Sequence, residues 1–274
     1  MTTPLDSSES PTGVEEIDSS YVRSDPLASE SSVSTSTLIT AAASAHRRSG
    51  YFALSVFLLA VAIVGFAPTL LLRSVLGLES MPLHVYWHGA LMTLWFALLT
   101  MQAALVRSGR VSLHRRIGIG SAALAACMIF VNVITLVRFI DRSEFPEFDS
   151  LIVRANLTTL IAFLLCYFSG VSCFGRPDAH RRFMIFASIS VVGPAFDRIA
   201  RFPILVETLE SAFSGLGMPY FFAFAAVCVL VLCTVVIILD ILERKRIHWA
   251  TLLSIAYLLV VARLSAIALV PMIA

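Results

Sequence analysis

The side chains best suited to chemistry are histidines set into apolar stretches. In LHVYWHGALMTLWFALLTMQ, His84 and His88 stand one helical turn apart, and Trp95 and Gln102 follow His88 at intervals of seven. All four therefore share one face of a helix. A histidine pair at i and i+4 offers two nitrogens to a metal, a haem iron or a polar headgroup. Zinc needs a third ligand, for which Asp197 is the candidate. The plainer alternative seats both histidines and Trp87 at the level of lipid headgroups, where amphipathic rings are favoured, and leaves Gln102 to bond a neighbouring helix.

A second pair, His114 and His180, lies in LHRRIG and AHRRFM, two phrases that each open an apolar stretch. The segments FALLTMQAALVRSGRVSLHRR and FLLCYFSGVSCFGRPDAHRR align with one gap, so the two histidines hold equivalent positions and are placed to approach each other. Two such imidazoles suit the axial positions of a haem b, with Arg115 and Arg181, and the adjoining Arg116 and Arg182, beside its propionates. The alternative is that each triplet is a basic anchor at a helix start, meeting phosphate headgroups. A third group, Asn132, Asp197 and Arg263, lies fifteen to eighteen residues beyond His114, His180 and His248. That is about 22 to 27 Å at the helical rise, so the three share a depth. Together with His84, His88, Trp95 and Gln102 they outline a candidate ligand pocket, against which stands the simpler pairing of Asp197 with Arg198 or Arg201 and the snorkelling of Arg263 to the surface.

The elements that must position these residues are apolar helices. Of the 274 residues 58% are hydrophobic and 14% charged, and the mean hydropathy is +0.87, which is the composition of an integral membrane protein. Residues 1–50 carry seven acids and three bases and are rich in Ser and Thr, which predicts a disordered tail. Residues 51–274 predict an all-α domain of seven transmembrane helices, at 51–72, 83–106, 117–137, 151–174, 183–203, 217–242 and 249–274. Arg107, Arg110, Arg115 and Arg116, then Arg176, Arg181 and Arg182, then Arg244, Lys245 and Arg246 follow spans 2, 4 and 6, whereas acids dominate the loops after spans 3 and 5. The positive-inside rule then puts the N-terminus and the basic loops in the cytoplasm and the C-terminus outside. With LERKRIHW before the last span as a looser third copy, the expected architecture is one leading helix plus three two-helix repeats.

Several classes are excluded. There is no basic, aromatic-interleaved surface for nucleic acid. The five cysteines all fall inside apolar runs without a C-x-x-C, so they read as small buried side chains. No lysine lies in the seventh span to carry a retinal Schiff base, and the outer side lacks the serine and three histidines of a seven-helix zinc hydrolase.

GFAPT at Gly65 to Thr69, H-G-x-L-x-T-x-W at His88 to Trp95, Gln102, L-H-R-R-x-G at Leu113 to Gly118 and H-R-R at His180 to Arg182 resemble the pattern of a family of bacterial multi-pass membrane proteins of unknown function. The resemblance covers residues 55–200 and implies a bacterial inner-membrane location, without an activity. The expected partners are the lipid bilayer and anionic headgroups at the cytoplasmic loops. The functional expectation is a redox or respiratory-chain accessory binding haem b or a quinone through histidines. The alternatives are a transporter or small-molecule binding protein using the outward pocket, and a non-catalytic assembly partner. Zinc is the lesser cofactor candidate, and no catalytic residue is assigned.

Overall fold

The computed structural model describes residues 35–141 and 146–268. Most of the predicted disordered tail therefore lies outside the described residues. The chain divides into units Met1–Ala43 and Ser44–Ala274; of the first, the described part is helical backbone from Thr35 onward. That helix starts inside the expected tail, where TLITAAASA supplies a run of alanine, the strongest helix former.

The described residues form α1 (Thr35–Phe66), which continues into a π-helical segment at Ala67–Leu71, then α2 (Leu83–Arg107), α3 (Val111–Ile140), α4 (Pro146–Ser172), α5 (Pro177–Ala200), α6 (Pro203–Phe213), α7 (Tyr220–Arg244) and α8 (Trp249–Ala268). Proline marks many of the starts: it is the first residue of α4, α5 and α6 and immediately precedes α2 and α7, where its fixed φ suits a first turn and its missing N–H costs nothing. The turn from α2 to α3 passes through Gly109 at φ +76°, and α7 ends on Lys245 in the left-handed region, its N–H donating to Ile241 O at 2.8 Å.

Among the described residues six helical stretches are long and apolar enough to cross a membrane: Ser49–Leu70, Leu83–Arg107, Val111–Ile140, Leu151–Ser172, Pro177–Ala200 and Tyr220–Arg244. The described residues are thus all-helical, with the length and apolarity of a multi-pass membrane protein. The seventh expected span corresponds to α8, whose apolar part, Trp249–Ser265, is shorter. Between α5 and α7, where a plain loop was expected, lies α6, PILVETLESAF, none of whose residues is buried.

The least apolar of the six is the most enclosed. Over its most apolar 18 residues α5 has a mean hydropathy of 1.4 with 61% of them buried, against 3.2 and 28% in α7. A helix wrapped by other helices does not need an apolar surface, and polar side chains are tolerated there when they find partners. α5 is accordingly the axis of the bundle, with α4 and α7 along it and α8 against α4 and α5. α2 and α3 pack as a hairpin, as do α4 and α5, but α7 and α8 touch at few positions; the third expected repeat is not a packed pair. α1 crosses α5 backbone to backbone: a Cβ added at Gly65 would lie 2.5 Å from Ala195 O. Two sets of contacts, Gln102–His114–His180–Gly170 and Tyr51, Arg182 and Thr251 on Asp240, meet in sequence at His180 to Arg182 at the start of α5, here termed the arginine-rich end.

Candidate functional site

Away from that end, α2, α3, α4 and α5 enclose a cavity of about 40 Å³ whose lining includes His88, Met92, Met128, Asn132, Asn156 and Pro194. His88 Nδ1, Asn132 Oδ1 and Asn156 Oδ1 are buried and have no hydrogen-bond partner in the protein. Asn132 is only 5% exposed. A buried polar atom left without a partner costs about 1 to 3 kcal/mol. Three from three helices on one small space are therefore a concentrated cost, of the kind found where a protein holds a ligand. None of the lining residues is Asp, Glu, Lys or Arg.

Of the residues expected to outline a pocket, the structure brings His88 and Asn132 together here. The other five do not line the cavity. His84 sits one turn before His88 on the same helix. The Trp95 indole N–H donates to Ser188 Oγ at 3.0 Å, and its ring stands edge-on to Phe163 and Tyr167, so it joins α2 to α4 and α5 as a packing residue. Gln102 reaches α3. Asp197 accepts two bonds from Arg201 Nη2, at 3.0 and 3.1 Å, as the simpler sequence reading had it. Arg263 is exposed on α8. With Asp197 so paired, the third zinc ligand proposed for His84 and His88 is engaged elsewhere, and among the described residues no group of three His, Cys, Asp or Glu is arranged to hold a metal. Asn156 was missed by sequence reasoning; the signal was present in NLTT, three polar residues in four inside the apolar fourth span.

The two triplet histidines do meet. The His114 and His180 rings lie 6.3 Å apart, centroid to centroid, with planes at 87°. His180 Nδ1 bonds Gly170 O at 2.8 Å, so this nitrogen carries the proton and Nε2 keeps a lone pair. The Gln102 amide, turned to satisfy its neighbours, donates to His114 Nδ1 at 2.5 Å and to His114 O at 3.2 Å, and accepts from Gly118 N–H at 3.1 Å. His114 is then protonated on Nε2. Axial ligation of a haem asks for a lone pair on both Nε2 atoms, so it would require the Gln102 amide to reverse and accept from a protonated Nδ1.

Arg181 and Arg182, expected beside propionates or lipid phosphates, are instead members of a charge lattice. Arg182 and Asp240 are both fully buried and form an ion pair. Asp240 further accepts from Tyr51 Oη at 3.2 Å, Thr251 Oγ1 at 2.5 Å and the His248 N–H at 3.0 Å, so one carboxylate ties α1, α5, α7 and the start of α8 together. Arg181 pairs with Glu243 at 2.7 Å and stacks over the Tyr51 ring at 3.9 Å. Arg244 pairs with Asp178. Arg115 stays exposed. His248, at the edge of this lattice, accepts the Ala250 N–H on Nδ1 at 3.1 Å and so caps α8; burial first, then Arg182 and Arg244, pushes its pKa below the usual histidine value.

Comparison with protein-family models, with curated proteins and with solved structures finds no match to this chain. The functional reading therefore rests on the site itself.

Proposed function

We propose that the protein binds a small neutral polar solute inside the membrane, in the cavity shared by His88, Asn132 and Asn156, as a transporter or a membrane-embedded binding protein. The observation that carries this reading is that three residues lining one small space each hold a buried polar atom without a partner in the protein. Its volume suits about three water-sized groups. The lining has amide and imidazole groups, which both donate and accept, and no ionised side chain to offset a charge. That chemistry favours a short amide or urea-like solute over a metal ion, a quinone or a haem. The reading places the protein in a bacterial inner membrane with the arginine-rich end in the cytoplasm and the cavity in the outer half. Reporter fusions after Arg110 and after Glu147 should then report opposite compartments.

The test is thermal unfolding of the detergent-solubilised full chain against a panel of urea, formamide, acetamide, methylamine and ammonium. A solute that binds the folded state raises Tm with its concentration. The expected result is that a neutral member stabilises the wild type and fails to stabilise His88→Leu. An identical response of both proteins to every member overturns the reading.

A second reading, a haem b redox accessory, is favoured by the meeting of His114 and His180. A visible spectrum of the purified protein decides it: a Soret band that vanishes in His114→Ala and His180→Ala supports it, and no Soret band in the wild type removes it.

A further inference from the structure

At the arginine-rich end Arg181, Arg182 and Arg244 are matched by Asp178, Asp240 and Glu243. Three further cations there, Arg176, Lys245 and Arg246, are exposed and make no ion pair among the described residues. They lie in the two short connections that join α4 to α5 and α7 to α8. Between those connections opens an apolar groove of about 430 Å³, walled by Leu165, Phe168 and Ser172 of α4, Phe183 of α5, and Trp249 and Leu253 of α8. The Trp249 ring packs edge-on against Phe183, with centroids 5.7 Å apart, and is still 46% exposed.

The groove runs from Cys173 back to Leu164 along α4, about 13 Å at the helical rise. Its flanks, Phe168 at 60% and Leu252 at 54% exposure, are apolar side chains turned away from the bundle on helices read as lying in the membrane. Such flanks suit hydrocarbon surroundings, and the three cations adjoin one end of the groove in the chain, Arg176 three residues after Cys173 and Arg246 three before Trp249. An apolar slot with three unmatched cations in the connections that adjoin one end is complementary to one amphipathic molecule: an acyl chain carrying a phosphate.

We propose that this groove is a binding site for an anionic phospholipid, with one acyl chain between α4 and α8 and the phosphate held by Arg176, Lys245 and Arg246. Each such cation strengthens the preference for anionic over zwitterionic lipid by about fivefold. This site is remote from the solute cavity and stands independently of it.

Trp249 reports on the groove directly. The full chain carrying Trp87→Phe and Trp95→Phe is reconstituted in phosphatidylcholine vesicles holding a small fraction of either phosphatidylglycerol or phosphatidylcholine with brominated acyl chains, and Trp249 quenching is compared. If that background fails to fold, the difference between wild type and Trp249→Phe gives the same signal. The expected result is stronger quenching by the brominated anionic lipid, an excess that falls about fivefold in Arg176→Gln and again in Arg246→Gln, with quenching by brominated phosphatidylcholine unchanged. Equal quenching by the two lipids in the wild type, or an excess that survives both substitutions, overturns the proposal.

Discussion

The two buried polar regions of this bundle differ in how their polar groups are matched: one is built of paired charges, the other of neutral groups without partners. At the arginine-rich end, Asp240 meets Arg182, Tyr51, Thr251 and the His248 N–H, and the buried charges are paired, although Arg181 Nε, Arg182 Nη2 and Glu243 Oε1 make no hydrogen bond of their own. In the cavity, His88, Asn132 and Asn156 each keep a buried atom with no partner in the protein. Both regions bear the desolvation cost of polar groups placed among apolar helices. In the first the opposite charges offset most of that cost within the chain, and four helices become fastened at one point. In the second it is not, and the offset must come from what the cavity binds. Partner accounting therefore separates architecture from function here more clearly than residue type does.

The sharpest way to break the comparison is to remove one member of the fully buried pair. Arg182→Met or Asp240→Leu alone leaves an uncompensated charge and should cost about 3 to 5 kcal/mol in unfolding, whereas the double variant should recover most of that loss. Urea or thermal unfolding of the detergent-solubilised proteins checks it. Next in size is the close crossing of α1 and α5. Gly65→Ala puts a Cβ against the Ala195 carbonyl and should destabilise by about 1 to 3 kcal/mol, seen as a lower Tm together with a displaced Phe66 at the cavity wall. The smallest effect is a pH dependence. His248 has its pKa lowered from 6.5 in the folded protein, so its contribution is intact above pH 6.5 and is lost as the pH falls from there toward the lowered folded value. His248→Gln should flatten this part of the stability profile; a profile unchanged by the substitution would show that another group titrates.

Composition and hydrophobic run length were sufficient for the helical membrane architecture, because a backbone in hydrocarbon has few alternatives to the helix. The repeated triplets were informative about the meeting of His114 and His180, since equivalent repeat positions on antiparallel hairpins come to one end. What a single sequence could not reveal was which cations had acids waiting for them. Asp178, Asp240 and Glu243 read as minor exceptions in basic loops, yet they are the counterions of Arg244, Arg182 and Arg181. The cavity was half legible for a similar reason. Helical spacing placed His88 and Asn132 at compatible depths, but depth says nothing about rotation, and rotation turned Arg263 outward and left Asp197 to its own helix. α6 escaped notice because eleven residues between two membrane helices resemble a loop until their amphipathic face is given something to lie against.

The measurement that most directly tests the distinction between the two regions is the stability of Asn132→Leu. If the Asn132 amide is held without a protein partner for the sake of a bound solute, replacing it by an apolar side chain of similar size should raise the unfolding free energy by about 1 kcal/mol while abolishing solute-dependent stabilisation. A loss of stability in Asn132→Leu, with the solute response intact, would show that the amide is a structural element like the charge lattice and would contradict the account.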